Sequence, residues 1–357
     1  MLALKILPEA IPQDLTENVA ILRQTASAHR FLAELKGAAG TIPNETILID
    51  TLGLQEAKDS SAIENILTTQ DDLFQSDFFS ANFQSAAAKE VHNYANALRI
   101  GWQRIREQKI LRLDDVLAIQ STLVENNAGL RKLPGTKLKN AQTGQVIYEP
   151  PQDPVHIQEL TANFLDYFNR TDIDGLDPLV RMAILHYQFE SIHPFYDGNG
   201  RTGRILNLLY LVQHGLLELP VLYLSRYIVR NKAEYYNGLQ SVRDKGNWAE
   251  WIIYLLRGIE QTSRETLIKV EKIRVLMQTT KQRLRSELKH LYSQDLLNNL
   301  FRHPYTKIEF LERDLGKTRQ TATKYLDTLE AAGFLTKIRS GRTNYYLNNE
   351  LVDILSS

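Results

Sequence analysis

Residues 193–204 read HPFYDGNGRTGR, and this stretch decides how the chain around it folds. Pro194, Gly198 and Gly200 interrupt the helical pattern that precedes them, because proline lacks a backbone N–H and glycine weakens a helix. An apolar stripe at helical spacing resumes from Ile205. The segment therefore predicts a loop that joins two helices and leads into the first turn of the second.

The start of that second helix has the chemistry of a phosphate site. The N–H groups of a first helical turn have no partner within the helix, and the helix dipole adds positive potential. Gly198 and Gly200 let the backbone curl its amides around an anion. Arg201 and Arg204 lie three residues apart and face one region, where two guanidinium groups suit a polyphosphate.

Two further side chains of the loop suit catalysis. Asp197 offers a hard oxygen ligand for a Mg²⁺ ion that bridges phosphates. His193, at the loop entrance, is suited to act as a general base. A metal pair formed by these two residues is the alternative, but no third ligand at a suitable spacing accompanies them.

Two common nucleotide motifs do not account for the chain. Residues 198–203 match G-x-G-x-x-G, but a helical pattern precedes them where a dinucleotide fold needs a strand. Residues 316–318 resemble the end of a Walker A motif, but its first glycine would have to stand at Leu311. We exclude both interpretations.

The stretch HPFYDGNGRTGR matches the signature of the Fic family, H-P-F-x-D/E-G-N-G-R-x-x-R, at every specified position. The resemblance extends over roughly residues 55–260. It implies a protein adenylyltransferase, which transfers AMP from ATP to a Ser, Thr or Tyr hydroxyl of a target protein. By resemblance, His193 is the general base that deprotonates this hydroxyl, and Asp197 is the Mg²⁺ ligand.

The resemblance also assigns the nucleotide-binding residues. Gly198, Asn199 and Gly200 correspond to the turn that holds the nucleotide phosphates. Arg201 and Arg204 correspond to the arginines that position the β- and γ-phosphates.

A second motif lies upstream. Residues 60–65, SSAIEN, match the family's inhibitory pattern S/T-x-x-x-E-G/N. The inhibitory residues are therefore Ser60, Glu64 and Asn65, and we expect Glu64 to pair with Arg204 so that ATP binds unproductively. An exposed helical glutamate with a capping serine is the alternative, and six residues alone would not exclude it.

The expected fold is mainly α: a Fic-type helical core with a short β-hairpin flap, followed by a C-terminal winged helix-turn-helix domain. By resemblance, the hairpin corresponds to the family's flap, which holds a target segment by pairing of backbones. The expected boundaries are an N-terminal helical region 1–84 with an inhibitory helix at about 54–68, a core 85–260 with the flap 129–152 and the loop 193–204, a connector 261–292, and a winged helix 293–357.

The sequence alone does not decide what the winged helix binds. Such domains place their third helix in the DNA major groove. This module, however, has nine Lys or Arg against eight Asp or Glu, whereas a DNA-binding domain usually carries a basic footprint. We therefore favour contact with a protein partner or a second copy over DNA, and a homodimer also fits the family.

Composition excludes several other classes of partner and site. Lys plus Arg and Asp plus Glu both number 42 in 357 residues, which gives no overall attraction to nucleic acid or anionic membrane. The absence of cysteine excludes disulfides, thiolate metal sites and a cysteine nucleophile, and fits the cytoplasm. Neither a secretory signal nor a membrane span is apparent, so we expect a soluble cytoplasmic protein.

Two rival functions are kept beside AMP transfer. The same site could remove AMP by hydrolysis or transfer another phosphate-containing group, since Glu64 could position a water molecule. A DNA-binding regulator whose core only senses nucleotide is the other rival, and salt-dependent DNA binding without turnover would favour it.

Overall fold

The computed structural model describes residues 4–68, 85–139, 143–171, 175–340 and 343–356. After a short 3₁₀ helix at Gln13–Glu17 the body of the protein is helical. Its helices are α1 (Val19–Ala39), α2 (Glu45–Ile63), α3 (Ala86–Gln108), α4 (Leu113–Val124), α5 (Pro154–Asn169), α6 (Pro178–Ile192), α7 (Asn199–Gln213), α8 (Leu224–Arg230), α9 (Lys232–Lys245) and α10 (Trp248–Glu287).

Helices α6 and α7 form the centre of this body. Every residue of α6 after Pro178 is buried, and so is almost every residue of α7. A helix that is buried on all sides must be surrounded by other elements. Asp177 caps the N-terminus of α6 by accepting a hydrogen bond from the Leu179 N–H (2.8 Å), and Pro178 occupies the first position. The loop that joins α6 to α7 is therefore held between two buried helices.

Helix α2 differs from the inhibitory helix expected at about 54–68. It begins at Glu45, because the side chain of Asn44 accepts a hydrogen bond from the Thr46 N–H (3.0 Å). It ends at Ile63, because Asn65 adopts the left-handed conformation (φ 65°) and closes the last turn. Local patterning missed the first turns of α2, which are buried and carry little amphipathic contrast.

The connector expected at 261–292 is not a separate element. Helix α10 runs through the expected boundary at residue 260 without interruption and ends at Glu287. Its buried residues continue at helical spacing on both sides of that boundary, including Ile259, Thr262 and Thr266. The same helix thus serves the body and the segment that leads to the C-terminal module.

The expected flap contains a short antiparallel hairpin. Strand β1 (Leu138–Lys139) pairs with β2 (Val146–Tyr148), and Leu138 lies opposite Tyr148. The Tyr148 hydroxyl donates to the Ser191 carbonyl of α6 (2.8 Å), which ties the hairpin to the body. Residues 140–142 of the flap lie outside the described part of the chain.

Residues 293–356 form the C-terminal module. It contains four helices and a three-stranded antiparallel sheet of order β3–β5–β4. Its buried leucines belong to the same continuous hydrophobic core as the body. The elements are α11 (Gln294–Arg302), β3 (Tyr305–Thr306), α12 (Ile308–Leu315), α13 (Arg319–Ala331), β4 (Thr336–Ser340), β5 (Thr343–Leu347) and α14 (Asn349–Ser356). Within the described residues, no helix is long and apolar enough to cross a bilayer.

Candidate active site

The loop between α6 and α7 is organised by its own polar groups. Asn199 receives a hydrogen bond from the Phe195 N–H and donates one to the Phe195 carbonyl, both at 2.8 Å. Phe195 is fully buried and anchors the loop in the core. The side chain of Asn199 is occupied by these two hydrogen bonds. Only its backbone N–H is therefore left to face an anion at the N-terminus of α7.

Arg131, which sequence reasoning did not single out, holds the entrance of the loop. Its Nε donates to the His193 carbonyl (2.7 Å), and its backbone N–H donates to the Pro194 carbonyl (2.8 Å). Its Nη2 reaches the Pro151 carbonyl (2.9 Å) at the end of the flap segment. A buried arginine that joins three backbone carbonyls fixes the flap to the loop, and no short motif signals such a role.

His193 is placed by a left-handed backbone (φ 49°) at the end of α6. Its N–H closes the helix on the Phe189 carbonyl (3.0 Å), and the chain then turns away from the helix axis. Burial lowers the pKa of His193 to about 4, and the nearby guanidinium groups of Arg131 and Arg243 act in the same direction. The imidazole is therefore neutral near pH 7, which is the state that a general base requires.

The two glycines of the loop leave room where a side chain would not fit. Gly198 caps the N-terminus of α7 with a positive φ of 78°, and a Cβ there would lie 2.9 Å from Cγ1 of Val124. At Gly200 a Cβ would lie 2.7 Å from Oε1 of Glu64. The first turn of α7 therefore presents bare backbone N–H groups to a polar recess, as an anion site needs.

Glu64 fills that recess. Its Oε1 accepts from Nη2 of Arg204 (2.8 Å), and its Oε2 lies 3.0 Å from Nε of Arg201. Both arginine side chains are almost fully buried, with 4% of Arg201 and 3% of Arg204 exposed. One carboxylate thus bridges two buried cations directly above Gly200, in the position expected for a phosphate group.

The other two residues of the SSAIEN motif have different surroundings. The Ser60 hydroxyl and the Ser60 carbonyl accept from Nε (2.7 Å) and Nη2 (3.0 Å) of Arg204. Asn65 ends the helix and accepts from Nζ of Lys232 (2.9 Å). Ser60 therefore positions Arg204, whereas Asn65 shapes the end of α2.

Two further carboxylates lie beside Arg201. Glu90, near the start of α3, places Oε2 2.5 Å from Nη1 of Arg201, while Asp197 lies 3.5 Å from Nη2. Glu90 is on the opposite edge of the guanidinium from the Nε that meets Glu64. A single helical glutamate carries no sequence signal for this role, since its partner is 111 residues away.

Asp197 is the exposed carboxylate of the site. Its Oδ1 accepts from the Gly198 N–H (2.6 Å), while 69% of the side chain remains accessible. Among the described residues, no group of three or more His, Cys, Asp or Glu is arranged to hold a metal. One accessible carboxylate fits Mg²⁺, which keeps several waters and binds through one or two carboxylates together with substrate phosphates.

Behind Arg204 lies a layer of buried titratable groups. Burial raises the pKa of Glu190 to about 7 and the pKa of Glu56 to about 8. Burial lowers the pKa of His186 to about 3, and this ring bonds to Tyr235 (2.9 Å) and Asn207 (3.0 Å). Arg204 is thus the charged member of a layer that is otherwise largely neutral near pH 6.

The fold and this site define a class of protein: a helical body with an anion-type recess at a helix N-terminus, occupied by a carboxylate of the same chain. Three family models match successive parts of the chain. The Fic/DOC family N-terminal model matches residues 22–103, and the Fic/DOC family model matches residues 110–211. The C-terminal domain of SoFic-like protein adenylyltransferases matches residues 276–351. The chain belongs to the Fic family.

Curated relatives cover parts of the chain. Protein adenylyltransferase fic-1 of Caenorhabditis briggsae is 30% identical over 155 residues, which are 43% of this chain and 28% of that protein. A probable protein adenylyltransferase of Aquifex aeolicus is 39% identical over 94 residues, 26% of each chain. The matched segments thus span less than a third of these relatives.

Solved structures share the fold. A Fic family protein from Desulfovibrio desulfuricans superposes with a TM-score of 0.58 at 20% identity, covering 92% of this chain and 96% of that one. Fic-1 of Caenorhabditis elegans gives a TM-score of 0.52 at 22% identity, covering 69% of this chain and 71% of that one.

Proposed function

We propose that this protein transfers AMP from ATP to a Ser, Thr or Tyr hydroxyl of a target protein. The observation that carries the proposal is the carboxylate of Glu64, seated between Arg201 and Arg204 at the N-terminus of α7. A site that holds an anion between two buried guanidinium groups is built for phosphate. The names of the relatives, protein adenylyltransferases, support the same reaction.

The chemistry follows from the positions of the side chains. The target hydroxyl attacks the α-phosphorus of ATP and gives its proton to the neutral imidazole of His193. The bond from the α-phosphorus to the bridging oxygen breaks, and pyrophosphate leaves with the electron pair. Arg201 and Arg204, together with the first amides of α7, stabilise the charge on the β- and γ-phosphates.

Asp197 would hold Mg²⁺. Its accessible carboxylate lies one turn before Arg201, so an ion there can also meet the nucleotide phosphates. When bound, the ion would neutralise phosphate charge. The absence of cysteine supports the reducing cytoplasm as the place of action.

The flap 129–152 is the proposed docking surface for the target protein. The hairpin stands beside the loop entrance, to which Arg131 ties it. Val146 and Ile147 of β2 are 42% and 40% exposed, so the hairpin offers apolar side chains to a target segment. An extended target segment could add to this hairpin by strand pairing and bring its hydroxyl towards His193.

Glu64 makes the described state an inhibited one. ATP that enters the recess must place a phosphate where the Glu64 carboxylate pairs with Arg204. With this guanidinium occupied, the γ-phosphate lacks its partner, and the α-phosphorus is not presented to the hydroxyl. Loss of the carboxylate removes the competitor and leaves Arg204 held by Ser60.

The test is transfer of α-labelled AMP with Mg²⁺, scored on the protein itself and on a lysate. We would compare the parent, Glu64→Gly, Glu64→Ala and His193→Ala, where alanine separates loss of the carboxylate from added backbone freedom. We expect label to rise in both Glu64 variants and to vanish in His193→Ala. No label in any variant would refute the proposal, and release of AMP from a labelled target would move the assignment to hydrolytic removal.

A further inference from the structure

The inhibitory helix α2 is in contact with the C-terminal module. Asp50, in the second turn of α2, is 5% exposed and accepts from two arginines. One is Arg99 of α3 in the body, at 2.6 Å. The other is Arg302, the last residue of α11 in the C-terminal module, at 3.1 Å. The same buried carboxylate therefore ties α2 to both parts of the protein.

Apolar packing reinforces this ion pair. Helices α11 and α14 of the module both pack against α2. Helix α11 buries Leu296, Leu297 and Leu300, and all three belong to the core that also contains Leu48 and Leu52 of α2. The module thus covers a face of α2 that would otherwise be apolar and exposed.

The module is also fixed to α10. The ammonium group of Lys269 in α10 donates to the carbonyls of Ile354 (3.1 Å) and Leu355 (3.2 Å) in the last turn of α14. Helix α10 therefore anchors the module, and the module in turn holds α2.

A displacement of α2 at Asp50 reaches the active site. Glu64 stands at the C-terminal end of the same helix, about four turns beyond Asp50. A continuous helix moves largely as a rigid rod, and Glu64 meets Arg204 only when α2 is seated. The Glu64 oxygens lie 3.0 Å from Nε of Arg201 and 2.8 Å from Nη2 of Arg204. A small shift of α2 would lengthen both distances beyond hydrogen-bond range.

We propose that the C-terminal module is the regulatory domain of this protein: it holds the inhibitory helix in place, and a partner or change that loosens its grip on α2 releases AMP transfer. The inference rests on the proposed function, since the released activity is AMP transfer. It assigns to the module a role that requires no DNA.

The test exchanges the charge at the contact while leaving the active site intact. Arg302→Asp places a negative charge beside Asp50, and Arg302→Ala is the milder variant. The matched control is Arg313→Ala, since Arg313 pairs with Asp314 inside the module and is 55% exposed. Thermal melting establishes that each full-length variant is folded.

We expect Arg302→Asp to raise AMP transfer about fivefold, equivalent to about 1 kcal/mol, with Arg313→Ala unchanged. In the Glu64→Gly background, Arg302→Asp should add nothing, because the inhibitor is already absent. An unchanged rate in the parent background, or an equal rise in both backgrounds, would overturn the proposal.

Hydrogen exchange separates this inference from the proposed function. If Glu64→Gly shows no AMP transfer, the proposed function fails, but the restraint is still measurable. We expect the amides of residues 57–63 to exchange faster in Arg302→Asp than in the parent or in Arg313→Ala. Equal protection in all three proteins would overturn the restraint, whatever the enzymatic result.

Discussion

Glu64 and Arg204 stand 140 residues apart in the chain, yet Oε1 of the one lies 2.8 Å from Nη2 of the other. Arg204 is also bonded to Ser60, one turn before Glu64 on α2. The carboxylate rests against Gly200. This pair closes the recess at the start of α7, so whatever moves α2 or competes for Arg204 decides whether a phosphate can enter.

Substitution of Gly200 by alanine should block the recess without unfolding the protein. The backbone at this position is helical, where alanine is better than glycine by about 1 kcal/mol. The new methyl group, however, would lie 2.7 Å from the place now taken by the carboxylate oxygen. In the Glu64→Gly background we expect ATP affinity to fall about tenfold, measured by calorimetric titration. Gly37→Ala, where a Cβ meets nothing within 4 Å, is the control, and equal affinities would contradict the prediction.

Glu90 should position Arg201 once the inhibitor is gone. It pairs with Nη1, whereas Glu64 lies beside Nε, so loss of Glu64 leaves Nε free for a phosphate. In the Glu64→Gly background, Glu90→Gln should raise the KM for ATP by about threefold to tenfold with little change in kcat, because an oriented guanidinium binds at lower cost. Glu107→Gln on the exposed face of α3 is the control. A KM that falls would mean that Glu90 competes with the nucleotide instead.

The pH dependence of the released enzyme should reflect a buried histidine. The pKa of His193 is lowered to about 4 by burial and by its cationic neighbours, so the base stays unprotonated well below the ordinary value of 6.5. We expect kcat/KM of Glu64→Gly to change little between pH 8 and about pH 6, where a solvent-exposed histidine would already be titrating. A pH–rate profile with a half-maximum near 6.5 would show that His193 is solvated in the active state.

Stability should be greatest in weakly acidic solution. His186 and His193 have lowered pKa values, about 3 and 4, so the unfolded chain binds more protons below pH 6.5 and stability falls as the pH drops. Glu190 and Glu56 have raised pKa values, about 7 and 8, so the unfolded chain ionises above pH 4.5 and stability falls as the pH rises through those values. Each group changes the free energy of unfolding by at most about 1.4 kcal/mol per pH unit.

Melting temperatures between pH 4.5 and 8.5 measure this balance. We expect a maximum where the two trends meet, between pH 4.5 and 6.5. Glu190→Gln, which cannot ionise, should flatten the alkaline side of the curve. A melting temperature that rises steadily up to pH 8 would contradict the assignment of buried neutral carboxyl groups.

Local chemistry accounts for what could be read along the chain. The loop 193–204 was predictable because its proline, its glycines and Asn199 shape the backbone only a few residues away from themselves. The end of helix α12 at Leu315 can also be read along the chain, because Gly316, with a φ of 62°, stops it. The start of α2 was not predicted, since its first turns are buried nearly all round and show no periodic contrast.

The sequence by itself determined the loop, its family signature and the identity of the groups that surround the start of α7, because turn, cap and charge chemistry are local. Only the tertiary structure decided that Glu90 reaches Arg201, that Arg131 joins the flap to the loop, and that Arg302 shares Asp50 with Arg99. These contacts join elements far apart in sequence, and their strength comes from burial. Burial is created by packing of the whole chain, so no local pattern carries it.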